Sequence, residues 1–456
     1  MRSLAVVLLF LVVAPAWAIT PKEVVDSSLK HYPQVIEAFL NVQEKDGDLR
    51  EAEGAFDARL RGEVDAKTDG FYDGDYYSGQ IEKAFPFLGS KVYGGYRNSV
   101  GEFPVYEGKY DSSTQGQRFA GVSLSLLRNS LIDINRYKVR MAEQNKIQSE
   151  LQLERLKIAV QTLSLQAYWT WVVKGHELKV YQEILDLAQE RMKQINRRIK
   201  MGDLARIFQQ ENNQYIQRRQ ARVLQGQLEF QKAAYYLSLF YRDNKGKMIT
   251  LSQTHLPGLE TKKLERISTY AEVLKVATDL NLDLKTLSSQ VMQAEAEINM
   301  GVNEILPRID VSFEVGQNRG LGANRTSEDE ARVMLNIEVP IQYERGLGRR
   351  QSGRSKLAQV KTQQGFVRDK IKAESQTLTL EVNSFAEIFD VTKNEVELAR
   401  TLAKAEMRKF QRGASDLILV NIREENLAEA QIKNLKSLLD YQLTSAEIRR
   451  LKVEFL

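Results

Sequence analysis

Cysteine is absent from the 456 residues, which excludes disulfides, thiolate metal sites and cysteine nucleophiles. Histidine occurs only as His31, His176 and His255, too far apart along the chain to suggest a ligand cluster. No metal and no cofactor is therefore expected. H-E-x-x-H, G-x-S-x-G and P-loop motifs are all missing. The stretches "GLGANR" and "GLGRRQ" lack the third glycine of a dinucleotide loop, so an enzyme finds no support. The net charge is only +5, with 65 Lys/Arg interleaved among 60 Asp/Glu. That is a solvated surface of both signs, and no nucleic-acid partner is expected. Beyond the N-terminus no run approaches the roughly 20 apolar residues of a transmembrane helix.

What is present begins with a leader. Arg2 precedes an apolar run from Leu4 to Val13 and then Ala16-Trp17-Ala18, the pattern of a secretory signal peptide over residues 1–18. A buried N-terminal helix is the competing explanation. Cleavage after Ala18 leaves Ile19 first, so no lipid anchor forms through an N-terminal cysteine. The chain is expected to be exported.

Proline then outlines two halves. Residues 105–256 and everything after Pro340 lack it and are rich in strong helix formers. In the first stretch Leu178, Tyr181, Leu185, Ala188, Met192, Ile195 and Ile199 step by three and four, the spacing of a coiled-coil seam. An offset of 211 gives Phe389, Thr392, Val396, Ala399, Ala403, Glu406 and Phe410 in the second stretch and carries Gly202 to Gly413. Upstream, "DARLRGEVDAK" aligns with "LPRIDVSFEV" at an offset of 249, Arg59 matching Arg308, so the first half holds about 38 extra residues. The chain is an internal duplication. A first repeat covers 19–242, a linker 243–265 and a second repeat 266–456.

Each half repeats one plan. Helices are expected over about 34–56, 133–201 and 204–241, then over 283–305, 349–412 and 416–451. The two shorter helices of a half nearly equal the long one in length and could stack beside it as a rod of roughly 100 Å. The stretches "RRIKMGDLARIFQQEN" (197–212) and "RKFQRGASDLILVNIREEN" (408–426) are the turns. Gly202 and Gly413 end one helix in the left-handed conformation, and Asp203 and Asp416 are expected to cap the next.

Between the short and long helices the period changes to two. Leu60, Gly62, Val64 and Ala66 alternate with Arg61, Glu63, Asp65 and Lys67. Ala120, Val122, Leu124 and Leu126 alternate with small or polar residues. Val311, Phe313 and Val315 do the same in the second half, as do Val333, Leu335, Ile337 and Val339. These are strands with one apolar and one polar face, over about 58–127 and 309–341. A soluble two-faced strand is the ordinary explanation of such a pattern. Each is also near the length of an outer-membrane strand. An added hairpin over about 79–99 turns near Leu88-Gly89-Ser90, and residues 71–110 hold eleven aromatics, suited to a membrane rim. Four strands, or six with the two of the hairpin, cannot close a barrel alone, so several chains must share one.

In order and duplication, helix, strand pair, long helix, glycine turn and return helix resemble the TolC-like outer-membrane efflux proteins. The likeness is carried by "LPRIDVSFEV", "VSLSLLRNSLID", "LNIEVPIQYERGLGRR" and "RKFQRGASDLILVNIREEN". It implies a mainly α protomer with membrane β: long hairpins forming a periplasmic α-barrel, and strands entering a shared transmembrane β-barrel of a homotrimer. The implied role is an outer-membrane exit duct for efflux or type I secretion. Implied partners are a periplasmic adaptor (membrane fusion protein), an inner-membrane transporter of RND, ABC or MFS type, and outer-membrane lipid. The docking tips would be Gly202, Asp203, Gly413 and Ser415. The periplasmic aperture would lie at Arg412, Asp416, Leu419, Ile422 and Arg423. The added hairpin leaves the family's 12 strands open to question. Leu419 and Ile422 stand where some members place aspartates, so the expected gate is apolar; the competing view is that both pack between helices. The alternative function is a periplasmic coiled-coil adaptor or structural protein.

Overall fold

The computed structural model describes residues 18–104, 112–259, 263–321 and 329–456. The expected leader over residues 1–18 lies almost wholly outside the described residues. Two short helices open the described chain, α1 (Pro21–His31) and α2 (Pro33–Glu53), the second ending in a 3-10 turn (Gly54–Phe56). Four strands come next: β1 (Arg59–Ala66), β2 (Gly74–Ala84), β3 (Lys91–Gly101) and β4 (Gln117–Ser125). Then come α3 (Ile134–Lys200) and α4 (Ile207–Leu237). The second half has α5 (Tyr270–Leu280), α6 (Leu282–Ile305), β5 (Arg308–Asn318), β6 (Asp329–Glu338), α7 (Glu344–Gln411) and α8 (Leu417–Leu451). No described helix is long and apolar enough to cross a membrane.

Two helices went unread in the sequence, α1 and its counterpart α5, each 11 residues long. Pro33 ends the first, and Thr20 caps it, its side chain and that of Glu23 satisfying each other's backbone N–H. The expected return helix over 204–241 starts later and ends sooner, at Ile207–Leu237, because residues 201–206 are spent on the tip and residues 238–240 on a further turn.

The chain forms two compact units, each drawing on both halves. The first comprises residues up to Ala38, Leu153–Leu282 and Arg368–Leu456; the second comprises Phe39–Gln152 and Asp283–Val367. In the first unit every seam residue of α3 and α7 is buried or half-buried. Ile195 packs with Phe410, Leu417 and Val420, and Val180 and Ile184 pack with Ala428 and Leu435. Trp171, wholly buried, stacks on Phe230 with ring centroids 6.2 Å apart. Burying each valine, leucine, isoleucine or phenylalanine among them stabilises by about 1.5–3 kcal/mol. The linker is tied down where the His176 ring nitrogen meets the Pro257 carbonyl at 3.0 Å. Burial holds the His176 imidazole below its ordinary range. The unfolded chain therefore binds the extra proton, and stability present above about pH 6.5 falls as pH drops through that value. His176→Gln is expected to flatten that slope in thermal melts between about pH 7 and pH 5.

In the second unit all six strands form one antiparallel sheet in chain order, β1 to β6. The added hairpin is longer than the 79–99 read from sequence. It pairs inside the sheet, Arg59↔Glu82 on one side and Lys91↔Ser123 on the other, and does not stand apart. Its turn uses Leu88 and Gly89, both at φ of 50–55°.

Candidate channel wall and helix tips

Pairing registers sort the sheet into two faces. One carries Leu60 and Val64 of β1, Tyr77 and Ile81 of β2, Val92, Tyr96 and Val100 of β3, Ala120 and Val122 of β4, Val311, Phe313 and Val315 of β5, and Val333, Leu335 and Ile337 of β6. Most of these are open to solvent in the single chain, Leu60 at 80% and Val333 at 71%. An apolar face this wide has no partner among the described residues and is far larger than a soluble monomer exposes.

The other face is polar and cross-linked. Arg97 donates to Gln117 Oε1 at 2.5 Å and to Glu314 at 3.0 Å, and Gln117 donates to Glu330 at 2.8 Å. Ser125 donates to Asp310 at 2.7 Å, and Arg308 meets the same carboxylate at 2.6 Å. Glu82 is paired with Arg61 at 2.8 Å and with Lys91. Gly121 leaves room for the Tyr93 ring, since a Cβ there would stand 2.5 Å from Tyr93 Cζ. Apolar on one side and charged on the other is the arrangement that separates lipid from water.

The two turns in the first unit are copies of each other. At the first, Gly202 N–H reaches the Ile199 carbonyl at 3.1 Å and Asp203 N–H reaches Arg198 at 2.9 Å. At the second, Gly413 N–H reaches Phe410 at 3.0 Å and Ala414 N–H reaches Lys409 at 2.9 Å. Both are Schellman ends, with the glycines at φ of 80° and 74°. A Cβ at either meets nothing within 4 Å, so alanine costs backbone strain alone. Gly202→Ala and Gly413→Ala are each expected to destabilise by about 1–2 kcal/mol, read from urea unfolding of the helical signal.

Past the glycines the two turns differ. Asp416 caps α8 as expected, Oδ1 accepting from Ile418 N–H at 3.4 Å. Asp203 does not cap α4: residue 206 holds the cap position in a helical conformation with no side-chain bond, and the Asp203 carboxylate lies 3.9 Å from Arg198. Three residues more separate the two helices at the first tip than a cap at Asp203 allows. Ser415 is pinned by a hydrogen bond to Glu406. Leu419 and Ile422 are nearly half exposed on α8, with Ile418, while Leu417, Val420 and Asn421 point into the core. Arg412 is exposed and Arg423 half-buried. The structure thus brings Arg412, Gly413, Ser415, Asp416, Leu419, Ile422 and Arg423 onto one tip, with Gly202 and Asp203 on the equivalent turn of the other hairpin.

One constellation went unread in the sequence. Arg191 of α3 and Arg219 of α4, each 1% exposed, converge on Glu424 of α8. Arg191 donates to Glu424 and to Asn421 Oδ1 at 2.7 Å. Arg219 lies 3.0 Å from Glu424 and donates to the Ile184 carbonyl at 2.6 Å. Burial pushes the Arg219 guanidinium down, against the opposing pull of Glu424. Beside it Glu425 takes Arg222 at 2.5 Å and Arg218 at 3.4 Å.

No family sequence model matches the chain, and no curated protein matches it in sequence. Solved structures do match in fold. The transmembrane channel CusC shares 14% identity over 95% of this chain and 92% of its own, at a TM-score of 0.66. The outer-membrane protein VceC of Vibrio cholerae shares 15% over 96% and 97%, at 0.64. The outer-membrane channel MtrE of Neisseria gonorrhoeae shares 13% over 96% and 89%, at 0.65. The chain has the fold of the TolC-family outer-membrane channels.

Proposed function

We propose that this chain is one protomer of a trimeric outer-membrane efflux channel. The observation that carries the reading is the six-stranded sheet: apolar and bare on one face, ion-paired on the other, and open at both ends. Such a sheet cannot meet lipid alone, because its edge N–H and C=O groups would go unpaired. Copies sharing one barrel turn the apolar faces to lipid and enclose the polar faces around water. Exposed apolar residues on α7, among them Leu380, Val391, Leu398 and Leu402, suit packing between copies of the helical unit. The fold of the channels, including MtrE and VceC, supports the same role. In this reading the tips at Gly202, Asp203, Gly413 and Ser415 dock a periplasmic adaptor that links the duct to an inner-membrane transporter, and cargo moves by efflux or type I secretion.

The constriction is assigned to Leu419 and Ile422, exposed at the second tip, with Arg412, Asp416 and Arg423 beside them. An apolar ring resists ion leakage by dewetting. Protein extracted from outer membranes in detergent should run as a heat-sensitive trimer and conduct in planar bilayers; a soluble monomer without conductance would overturn the reading. The double variant Leu419→Asp/Ile422→Asp is expected to introduce block by multivalent cations that the unaltered pore lacks. Equal block of both pores would remove the apolar gate.

A further inference from the structure

Both end strands of the sheet are exposed along their length, β1 at every position and β6 at all but one. On the polar face of β1, Arg59, Glu63 and Asp65 have no ion-pair partner among the described residues, while Arg61 meets Glu82. With an even number of strands, β1 of one copy and β6 of the next run antiparallel when brought together. The occupant that fits each edge is therefore a second copy of this chain.

The internal duplication fixes how they meet. β1 is equivalent to β5 at an offset of 249, and the end of β4 to the end of β6 at the offset of 211 that relates the long helices. Within the chain Ser125 of β4 stands opposite Asp310 of β5. The same offsets convert that pair into Asn336 opposite Arg61. We propose that β6 of one copy pairs with β1 of the next in this register, and that three copies so joined close an 18-stranded barrel, half again the strand count of a duct with four strands per chain. The proposal rests on the proposed channel function for the membrane and for the number of copies.

Side chains support the register. It sets Arg59 opposite Glu338 and Asp65 opposite Arg332, with Glu63 against Met334 between them. On the other face Leu60 meets Ile337, Val64 meets Val333 and Ala66 meets Ala331. A slip of one residue would put every charge of β1 on the lipid side. A slip of two in one direction sets Asp65 against Glu330, like against like. A slip of two in the other sets Arg59 against Pro340, beyond the end of β6.

Barrel geometry agrees. Following pairs from Arg59 through Glu82, Tyr93, Gly121 and Glu314 to Arg332, and across the new edge to Asp65, advances six residues along the strand for each copy. With strands about 4.8 Å apart and a rise of about 3.4 Å per residue, the tilt is roughly 35°. Outer-membrane strands tilt by about 35–45°. The slip that opposes Asp65 and Glu330 would lower the tilt to roughly 25°. Eighteen strands leave a water-filled lumen, where eight would be filled by side chains.

The chain has no native cysteine, so a disulfide test has no background. Full-length protein carrying Glu63→Cys and Met334→Cys, in outer membranes, would be oxidised with copper phenanthroline and run unreduced in SDS. Cα atoms directly opposite in an antiparallel pair lie within disulfide reach, on the water-filled side and away from both ion pairs. The expected result is covalent dimer and closed trimer, forming at least tenfold faster than in Glu63→Cys/Arg332→Cys or Glu63→Cys/Asn336→Cys. Faster linking in either of those two overturns the register. A ladder that closes at two copies or exceeds three overturns the eighteen strands. No linking in protein that conducts in bilayers overturns the edge pairing alone, whereas no linking in protein that forms no pore removes the channel reading with it.

Discussion

Replacing Glu424 with alanine is expected to destabilise the first unit by about 3–5 kcal/mol, the cost of stripping one partner from a buried ion pair. Arg191 and Arg219 have almost no contact with water, and a guanidinium has five N–H donors and no acceptor, so each needs acceptors around it. Without Glu424 two positive charges would face each other across α3 and α4, with only the Asn421 oxygen and the Ile184 carbonyl to accept from them. The urea midpoint of the helical circular dichroism signal measures the loss. Glu425→Ala, a few ångströms away in a half-exposed cluster with Arg218 and Arg222, is expected to cost less than about 1 kcal/mol. Glu424→Gln keeps the acceptor without the charge and should fall between. Triple replacement by Arg191→Met, Arg219→Met and Glu424→Leu should recover most of the loss, because a packed apolar cluster needs no counter-charge. A midpoint for Glu424→Ala within about 0.5 kcal/mol (the scatter of a surface substitution) would mean that water reaches the cluster and that the three helices are not clamped there.

That cluster shows where reading the sequence stops short. The seam spacing, the glycine turns and the strand alternation were legible because each is a repeating local rule: three and four for a buried helix stripe, two for a half-buried strand, a left-handed residue at a Schellman end. The offsets 211 and 249 carried those rules from one half to the other. Charges were assigned to solvated faces, which is where charged residues on helices ordinarily lie. Yet Arg191 sits three residues after Ala188 and four before Ile195, on the seam itself. Arg219 is four before Val223, and Glu424 lies between Asn421 and Ala428 at the same spacing. Charge at a seam position on three neighbouring helices was the available signal; that the three meet is a property of the fold and of no single stretch. Asp203 illustrates the opposite error. An aspartate after the turn glycine suits a cap, but the first tip spends three residues more before α4 begins. The hairpin was legible as strands and a turn, but its place inside the sheet depended on partners in the flanking strands, Arg59 for Glu82 and Ser123 for Lys91, and the join between the halves on β4 and β5 partners such as Ser125 and Asp310, 185 residues apart.

Leu335→Arg and Met334→Arg alter neighbouring residues of β6 and are expected to have opposite outcomes. Leu335 stands on the apolar face between Val333 and Ile337, opposite Val311, and is 60% exposed. Met334 stands on the polar face opposite Ser312, whose hydroxyl is bonded to Ser123 at 3.1 Å. If the apolar face meets lipid, an arginine near the middle of that face costs about 2–4 kcal/mol in every copy. A barrel of several copies multiplies that cost, so the SDS-resistant oligomer in the outer-membrane fraction should fall more than tenfold for Leu335→Arg. For Met334→Arg it should stay within about twofold, the new charge lying in the water-filled interior beside Arg332 and Glu330. A soluble adaptor would behave otherwise. Its sheet would face water on the bare side, and Leu335→Arg would be neutral or improve solubility. Equal oligomer yields from the two variants would therefore return the apolar face to water and remove the physical basis for a shared barrel. The contrast reads the membrane directly, because the two substitutions add the same charge at adjacent positions of one strand and differ only in the face they occupy.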